Sequence, residues 1–134
     1  SINPYAKIIT MGDLNDDPIS SSIKSVLNTK KSRYELKMKE LFNPMERIFN
    51  EGIGSLAWRD SWNLFDQIIL SSEFLKKKYS SYRFYKAGIF NKSYLVNSSG
   101  PYKGYPFRSF VNGTFTGGYS DHFPVFIYLI KENI

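Results

Sequence analysis

The sequence contains no cysteine, so it can form no disulfide and hold no metal through thiolate. Imidazole is nearly absent as well, because His122 is the single histidine among 134 residues. A divalent ion would therefore meet mainly carboxylate and amide oxygen, a donor set suited to Mg²⁺ rather than to structural zinc. No apolar run approaches the roughly eighteen residues that a membrane-spanning helix requires. The opening Ser1-Ile2-Asn3-Pro4 reads as neither a signal peptide nor a transit sequence. Fixed-period repeats, low-complexity tracts and a dividing linker are missing too, which leaves residues 1–134 as one domain. Acidic residues are the minority: 12 Asp and Glu face 18 Lys and Arg, a formal net charge of +6. That balance favours an anionic partner, whether nucleic acid, lipid phosphate or a phosphorylated small molecule, without choosing among them.

What is present points to a packed, sheet-rich domain. Aromatics make up 17% of the chain and apolar residues 42%, enough to bury about two-thirds of the surface that the unfolded chain exposes. The β-branched run at 7–11 reads as a buried strand that ends at Gly12. Polarity then switches, with Asp13, Asn15, Asp16 and Asp17 crowded ahead of Pro18. Asp17-Pro18 reads as an N-cap followed by proline at the first helical position. A helix over 18–27 is predicted, with Ile19, Ile23, Val26 and Leu27 on its packed face, Lys24 outward, and Asp16 and Asp17 assigned to capping. Further elements are expected as helical turns within 35–42, a short helix at 45–49, a strand at 55–59, a turn at 60–63 and a strand at 64–70. A capped short helix at 71–75 and strands at 82–90, 93–96 and 123–130 follow, with a long loop over 97–118. Lys30-Lys31 and Lys76-Lys77-Lys78 suit either solvated helix ends or phosphate-tracking patches.

Three stretches carry chemistry. Gly117-Gly118 deliver Ser120-Asp121-His122 onto the last apolar run, placing a carboxylate beside an imidazole at a strand's mouth. Taken alone, that pair also suits an ordinary surface or core histidine. Asp66 lies inside an otherwise apolar strand, where a carboxylate is costly without a partner. Asp13 and Asn15 occupy the mouth of the first strand. Together these groups suit phosphoester hydrolysis: a metal polarises the phosphoryl oxygen, a carboxylate orients and deprotonates water, and an amide and an imidazolium donate to the oxygens where charge develops.

Gly12-Asp13-Leu14-Asn15-Asp16, Phe65-Asp66-Gln67-Ile68-Ile69-Leu70-Ser71 and Ser120-Asp121-His122-Phe123-Pro124-Val125, in this order and at about this spacing, resemble the last three motifs of the endonuclease/exonuclease/phosphatase superfamily. The resemblance runs from Lys7 to Ile130, and residues 106–110 and 113–119 look like bacterial members of unassigned substrate. It implies an α/β fold of the pancreatic deoxyribonuclease type, here half of a four-layer α/β/β/α sandwich, with one mixed, mostly antiparallel sheet and helices on one face. It also implies a Mg²⁺- or Mn²⁺-dependent phosphoesterase, acting as a nuclease or as a phosphatase of lipids or small molecules. Asp13 would orient and activate the attacking water and, with Asp121, lie on the metal side. Asn15 would hydrogen-bond the scissile phosphate. His122 would bind a phosphate oxygen and stabilise the transition state, with Asp66 accepting from its other ring nitrogen.

Arg108 is either a bidentate phosphate clamp or a loop-packing residue. Tyr102, Tyr105 and Phe107 either stack on a base or sugar or pin the loop. The family pattern also has an N-terminal half with an asparagine and a metal-binding glutamate, and nothing upstream of Asp13 matches them. The expectation is therefore a C-terminal half, with little activity by itself, that covers an exposed sheet face with a second copy in a twofold homodimer. The competing reading is a non-catalytic binding or scaffold module that keeps the fold.

Overall fold

The computed structural model describes residues 3–133. In chain order the strands are β1 (Ile9–Asp13), β2 (Thr29–Lys30), β3 (Leu41–Phe42), β4 (Leu56–Trp58), β5 (Ser61–Asn63), β6 (Asp66–Ser71), β7 (Arg83–Ile89), β8 (Phe110–Val111), β9 (Thr114–Phe115) and β10 (Val125–Ile130). One α-helix, α1 (Met45–Asn50), lies between β3 and β4, and short helical turns occupy Ser22–Val26, Ser72–Leu75 and Ser93–Leu95. Among the described residues no helix is long and apolar enough to cross a membrane.

β6 is the central element because its sequence is apolar on both faces. Gln67, Ile68, Ile69 and Leu70 are all buried, and the strand lies between β1 and β3 in a sheet of order β1-β6-β3-β2. β2 and β3 run parallel, while the other pairings are antiparallel. β7 and β10 form a separate antiparallel pair, with β10 passing close to β6. Val125, Ile127 and Leu129 of β10, with Phe84, Ala87 and Ile89 of β7, pack on a core of Phe42, Met45, Leu64, Ile68, Leu70 and Phe74. Period-two alternation explains the shared core, since Val125, Ile127 and Leu129 fall on one face of β10 and join the cluster that holds Ile68 and Leu70.

This corrects the expectation of one sheet. The strands divide into one four-stranded mixed sheet and three two-stranded pairs, and helices are few. β10 lies close to β6 without a hydrogen-bonded ladder to it, and apolar side chains join the two.

The predicted helix over 18–27 is also corrected. Only Ser22–Val26 is helical, as a π-type turn without a side-chain cap. The Asp17 carboxylate is engaged elsewhere, accepting from the Leu64 backbone N–H at 2.7 Å and from Asn63 Nδ2 at 2.8 Å. A long-range tie to the start of β6 thus displaces a local cap. Ile23 is buried, but Ile19, Val26 and Leu27 are exposed, and Lys24 pairs with the buried Glu46 of α1 at 2.7 Å.

The first strand runs from Ile9 to Asp13 and is exposed throughout, not buried. Over 35–42 only the short β3 forms, and Ser93–Leu95 is a helical turn rather than a strand. At 60–63 the chain turns earlier than expected: Arg59 and Asp60 have φ of 47° and 63°, and β4 pairs with β5 across them. Asn112 and Gly113, with φ of 50° and 78°, likewise close a β8–β9 hairpin inside the stretch expected to be loop, in keeping with the asparagine-glycine preference of such turns. Lys30 lies in β2 rather than at a helix end, and Lys76 pairs with Glu73 at 2.6 Å.

β1 has β6 on one side, and its Ile9 and Met11 side chains, with Ile8 just before it, are exposed, Met11 to 71%. Nothing in the fold of the single chain supports a second copy as its cover.

Two substitutions separate the packed core from the exposed helical turn. Leu70→Ala is expected to cost about 2–5 kcal/mol in urea unfolding, as for other fully buried leucines. Val26→Ala, at a residue 80% exposed, should change stability by less than about 0.5 kcal/mol. A large loss at Val26 would restore the packed face that the sequence pattern suggests.

Candidate active site

Register places the first two acids together. The Leu14 N–H donates to the Phe65 carbonyl and the Ser71 N–H to the Ile8 carbonyl, both at 2.9 Å, so Asp13 and Asp66, paired between them, form a non-hydrogen-bonded pair. In such pairs the side chains share a face with Cβ atoms about 4.5–5.5 Å apart. Two carboxylates opposite one another repel, and the surroundings of Asp66 offset this. Its Oδ2 lies 2.7 Å from His122 Nδ1 and accepts from Ser55 Oγ at 2.5 Å. A carboxylate oxygen only accepts, so Nδ1 carries the hydrogen and Nε2 is the nitrogen left for other partners. The Asp66 and His122 side chains are 21% and 22% exposed, sheltered yet reachable.

His122 is held by its loop. A Cβ on Gly118 would stand 2.2 Å from the Arg108 carbonyl oxygen and 2.4 Å from that of Phe107, so only glycine lets the two segments cross. The Tyr119 N–H then donates to the Phe107 carbonyl at 2.8 Å, and the His122 N–H to Ser120 Oγ at 3.1 Å. Immediately after the histidine, the Phe123 N–H donates to the Ser55 carbonyl at 2.7 Å. The buried Phe123 ring stacks on Trp62 at 6.1 Å, and Trp62 meets Tyr105 edge-on at 5.7 Å. Tyr105 Oη donates to Asp60 Oδ1 at 2.6 Å; that bond, then desolvation, raises the phenol above its ordinary pKa.

The acidic loop is anchored from below. The Asp16 carbonyl accepts from Gln67 Nε2 at 2.6 Å, and Gln67 Oε1 accepts from Asn43 Nδ2 at 2.7 Å. Asp16 Oδ2 accepts from Ser22 Oγ at 2.6 Å, so the Asp16 and Asp17 carboxylates hold the loop rather than cap a helix N-terminus. Above this base Asp13 and Asn15 are exposed, and the Asn15 N–H donates to Asp13 Oδ1 at 2.9 Å. Asn15 has φ of 53°, a left-handed conformation that asparagine tolerates.

Asp13, Asn15, Asp66 and His122 are therefore brought into one neighbourhood, with Asp121 exposed beside His122. His122 lines a cavity of about 230 Å³ with Asp66, Leu95, Tyr119, Ser120, Phe123 and Pro124. Arg108 is placed apart from it. With Trp58, Tyr102, Tyr105 and Phe107 it lines a second cavity of about 330 Å³. Ser55 had no signal in the sequence, because a lone serine is chemically ordinary. The adjacent Gly54 is the nearest to a clue: a Cβ there would come within 2.3 Å of the Asn63 carbonyl oxygen. Among the described residues no three His, Asp or Glu side chains gather closely enough to hold a metal ion.

The profile of the Endonuclease/Exonuclease/phosphatase family matches residues 1–131. No curated protein and no solved structure matches.

Because His122 is the single histidine, its ring nitrogens give an unambiguous ¹⁵N NMR signature. Nδ1 is expected to carry the hydrogen in the neutral ring, and Asp66→Asn should weaken that preference; an Nε2–H tautomer in the unsubstituted chain would contradict the geometry. Ser55→Ala is expected to cost about 1–3 kcal/mol in unfolding, because it removes a buried donor from Asp66. It should also perturb the His122 signals.

Proposed function

The chain belongs to the endonuclease/exonuclease/phosphatase family, and on that premise we propose that it hydrolyses phosphoesters through His122, Asp66, Asp13 and Asn15. The family is hydrolytic, and a phosphoesterase or nuclease is the coarse function that membership supports. The observation that carries the finer reading is the contact of His122 Nδ1 with Asp66 at 2.7 Å, with Asp13 opposite Asp66 across the β1–β6 ladder. In the proposed reaction, Asp66 fixes the ring so that Nε2 addresses a non-bridging phosphate oxygen. A protonated ring there stabilises the charge that grows as water attacks phosphorus. Asp13 takes the proton of that water and orients its lone pair, and the Asn15 amide donates to the phosphate. The P–O bond to the leaving group breaks in line with the attack, and water supplies the new oxygen.

A divalent cation, Mg²⁺ or Mn²⁺, belongs to the proposal at two carboxylates, Asp13 and Asp121. The described residues provide no group of three, so further ligands would come from water or substrate oxygen. The proposal includes the chain's place as one half of a four-layer α/β/β/α sandwich, which the exposed apolar residues of β1 support. The second reading, a binding module that keeps the fold, predicts phosphate binding without turnover. The separate cavity of Arg108 favours a packing or recognition role over a clamp on the phosphate at His122.

Hydrolysis of plasmid DNA, RNA, phosphoinositides, sphingomyelin and bis(p-nitrophenyl) phosphate with Mg²⁺ or Mn²⁺ tests the reading. Turnover of at least one substrate is expected, with His122→Ala losing about a hundredfold or more. Turnover unchanged by His122→Ala would refute the assigned mechanism. Phosphate-dependent shifts of the His122 signals without turnover would favour the binding module.

A further inference from the structure

Away from His122, the segment after β2, helix α1 and strand β7 enclose the largest concavity among those described, a groove of about 780 Å³. Four cations line it: Lys31, Arg33, Arg47 and Lys86. The one acid in its lining, Glu51, pairs with Arg47 at 3.2 Å, so the groove keeps a surplus of positive charge. Two tyrosines stand in it with their rings open to solvent, Tyr34 to 93% and Tyr85 to 61%. Ordinary packing gives no reason for a tyrosine so exposed beside so many cations.

We propose that this groove binds single-stranded nucleic acid, with Lys31, Arg33, Arg47 and Lys86 along the phosphates and Tyr34 and Tyr85 under the bases. A row of cations interleaved with exposed aromatic faces is the arrangement that binds unpaired strands without regard to sequence. Duplex DNA keeps its bases stacked and has no face to offer the tyrosines. A bilayer presents a flat surface, whereas these rings and charges line a recess. A single phosphorylated small molecule would leave most of the spread charges unanswered. β7 connects the groove to the proposed reaction site: Lys86 pairs with Tyr128, and Ile89 pairs with Val125, three residues past His122. Strand rise puts this path at roughly 20 Å, so a short oligonucleotide can reach both. The inference rests on the phosphoesterase reading only for its purpose; binding in the groove requires no turnover.

The test is fluorescence anisotropy of a labelled oligothymidylate with the whole chain at several salt concentrations, with no divalent metal added. Two charge-reversal triples are compared, Lys31→Glu/Arg33→Glu/Lys86→Glu in the groove and Lys76→Glu/Lys77→Glu/Lys78→Glu outside it, along with Tyr34→Ala. The groove triple is expected to weaken binding far more than the outside triple and to flatten the slope of log affinity against log salt by about 2. Tyr34→Ala should lose about 5- to 150-fold without altering that slope. Equal losses from both triples would reduce the effect to general charge and overturn the assignment, as would a neutral Tyr34→Ala. Groove-dependent binding to phosphatidylserine vesicles with none to the oligonucleotide would assign the surface to a membrane and overturn it as well. Since His122 takes no part in this measurement, a result against the groove leaves the hydrolytic reading standing, and the reverse holds too.

Discussion

The site depends on one oxygen, Asp66 Oδ2, which meets His122 and Ser55 at 2.7 and 2.5 Å. That oxygen belongs to β6, whose Gln67, Ile68, Ile69 and Leu70 are all buried, and it sits at the end where burial gives way to solvent. The period of the strand puts Asp66 on the same face as Ile68 and Leu70, which share the core with Val125, Ile127 and Leu129 of β10. The chain segment entering β10 therefore arrives beside Asp66, bringing His122 with it. Packing brings the backbone to within reach, and the hydrogen bonds then fix the ring.

The same oxygen links the other parts of the site. Ser55 donates to it with its hydroxyl and accepts from the Phe123 N–H with its carbonyl, so one buried residue holds both the carboxylate and the loop that carries the histidine. On the other side, Gln67, next to Asp66, reaches the Asp16 carbonyl and fastens the acidic loop. Asp13 is thereby held opposite Asp66, where two negative charges side by side would be unfavourable without a donor or cation near them. The electrostatic tension and its relief by His122 lie in the same few residues, which is the arrangement expected where a developing negative charge is to be handled.

The pairing of Asp66 with His122 was more legible than its surroundings. An aspartate inside an apolar strand requires a partner on energetic grounds, and with a single histidine in the chain the choice was narrow. The helix over 18–27 failed for a physical reason: Asp17 looked like a cap, but Leu64 and Asn63, far off in sequence, compete for its carboxylate and win. The buried reading of the first strand failed because a β-branched run reports strand propensity, not which layers cover it. Ser55 was illegible because its importance comes from position alone. The β8–β9 hairpin, by contrast, had its asparagine-glycine signal in plain view and was lost in a stretch dominated by aromatics and glycines.

The central claim is that Asp66 and His122 act as one unit on the phosphate. Its most direct test is a double-substitution cycle on hydrolysis, comparing the unsubstituted chain with Asp66→Asn, His122→Ala and the two together. If Asp66 works only through the ring, the double variant will be no slower than His122→Ala alone, because a group that orients an absent partner has nothing left to lose. Losses that multiply across the two substitutions would mean that Asp66 and His122 act independently and would contradict the account.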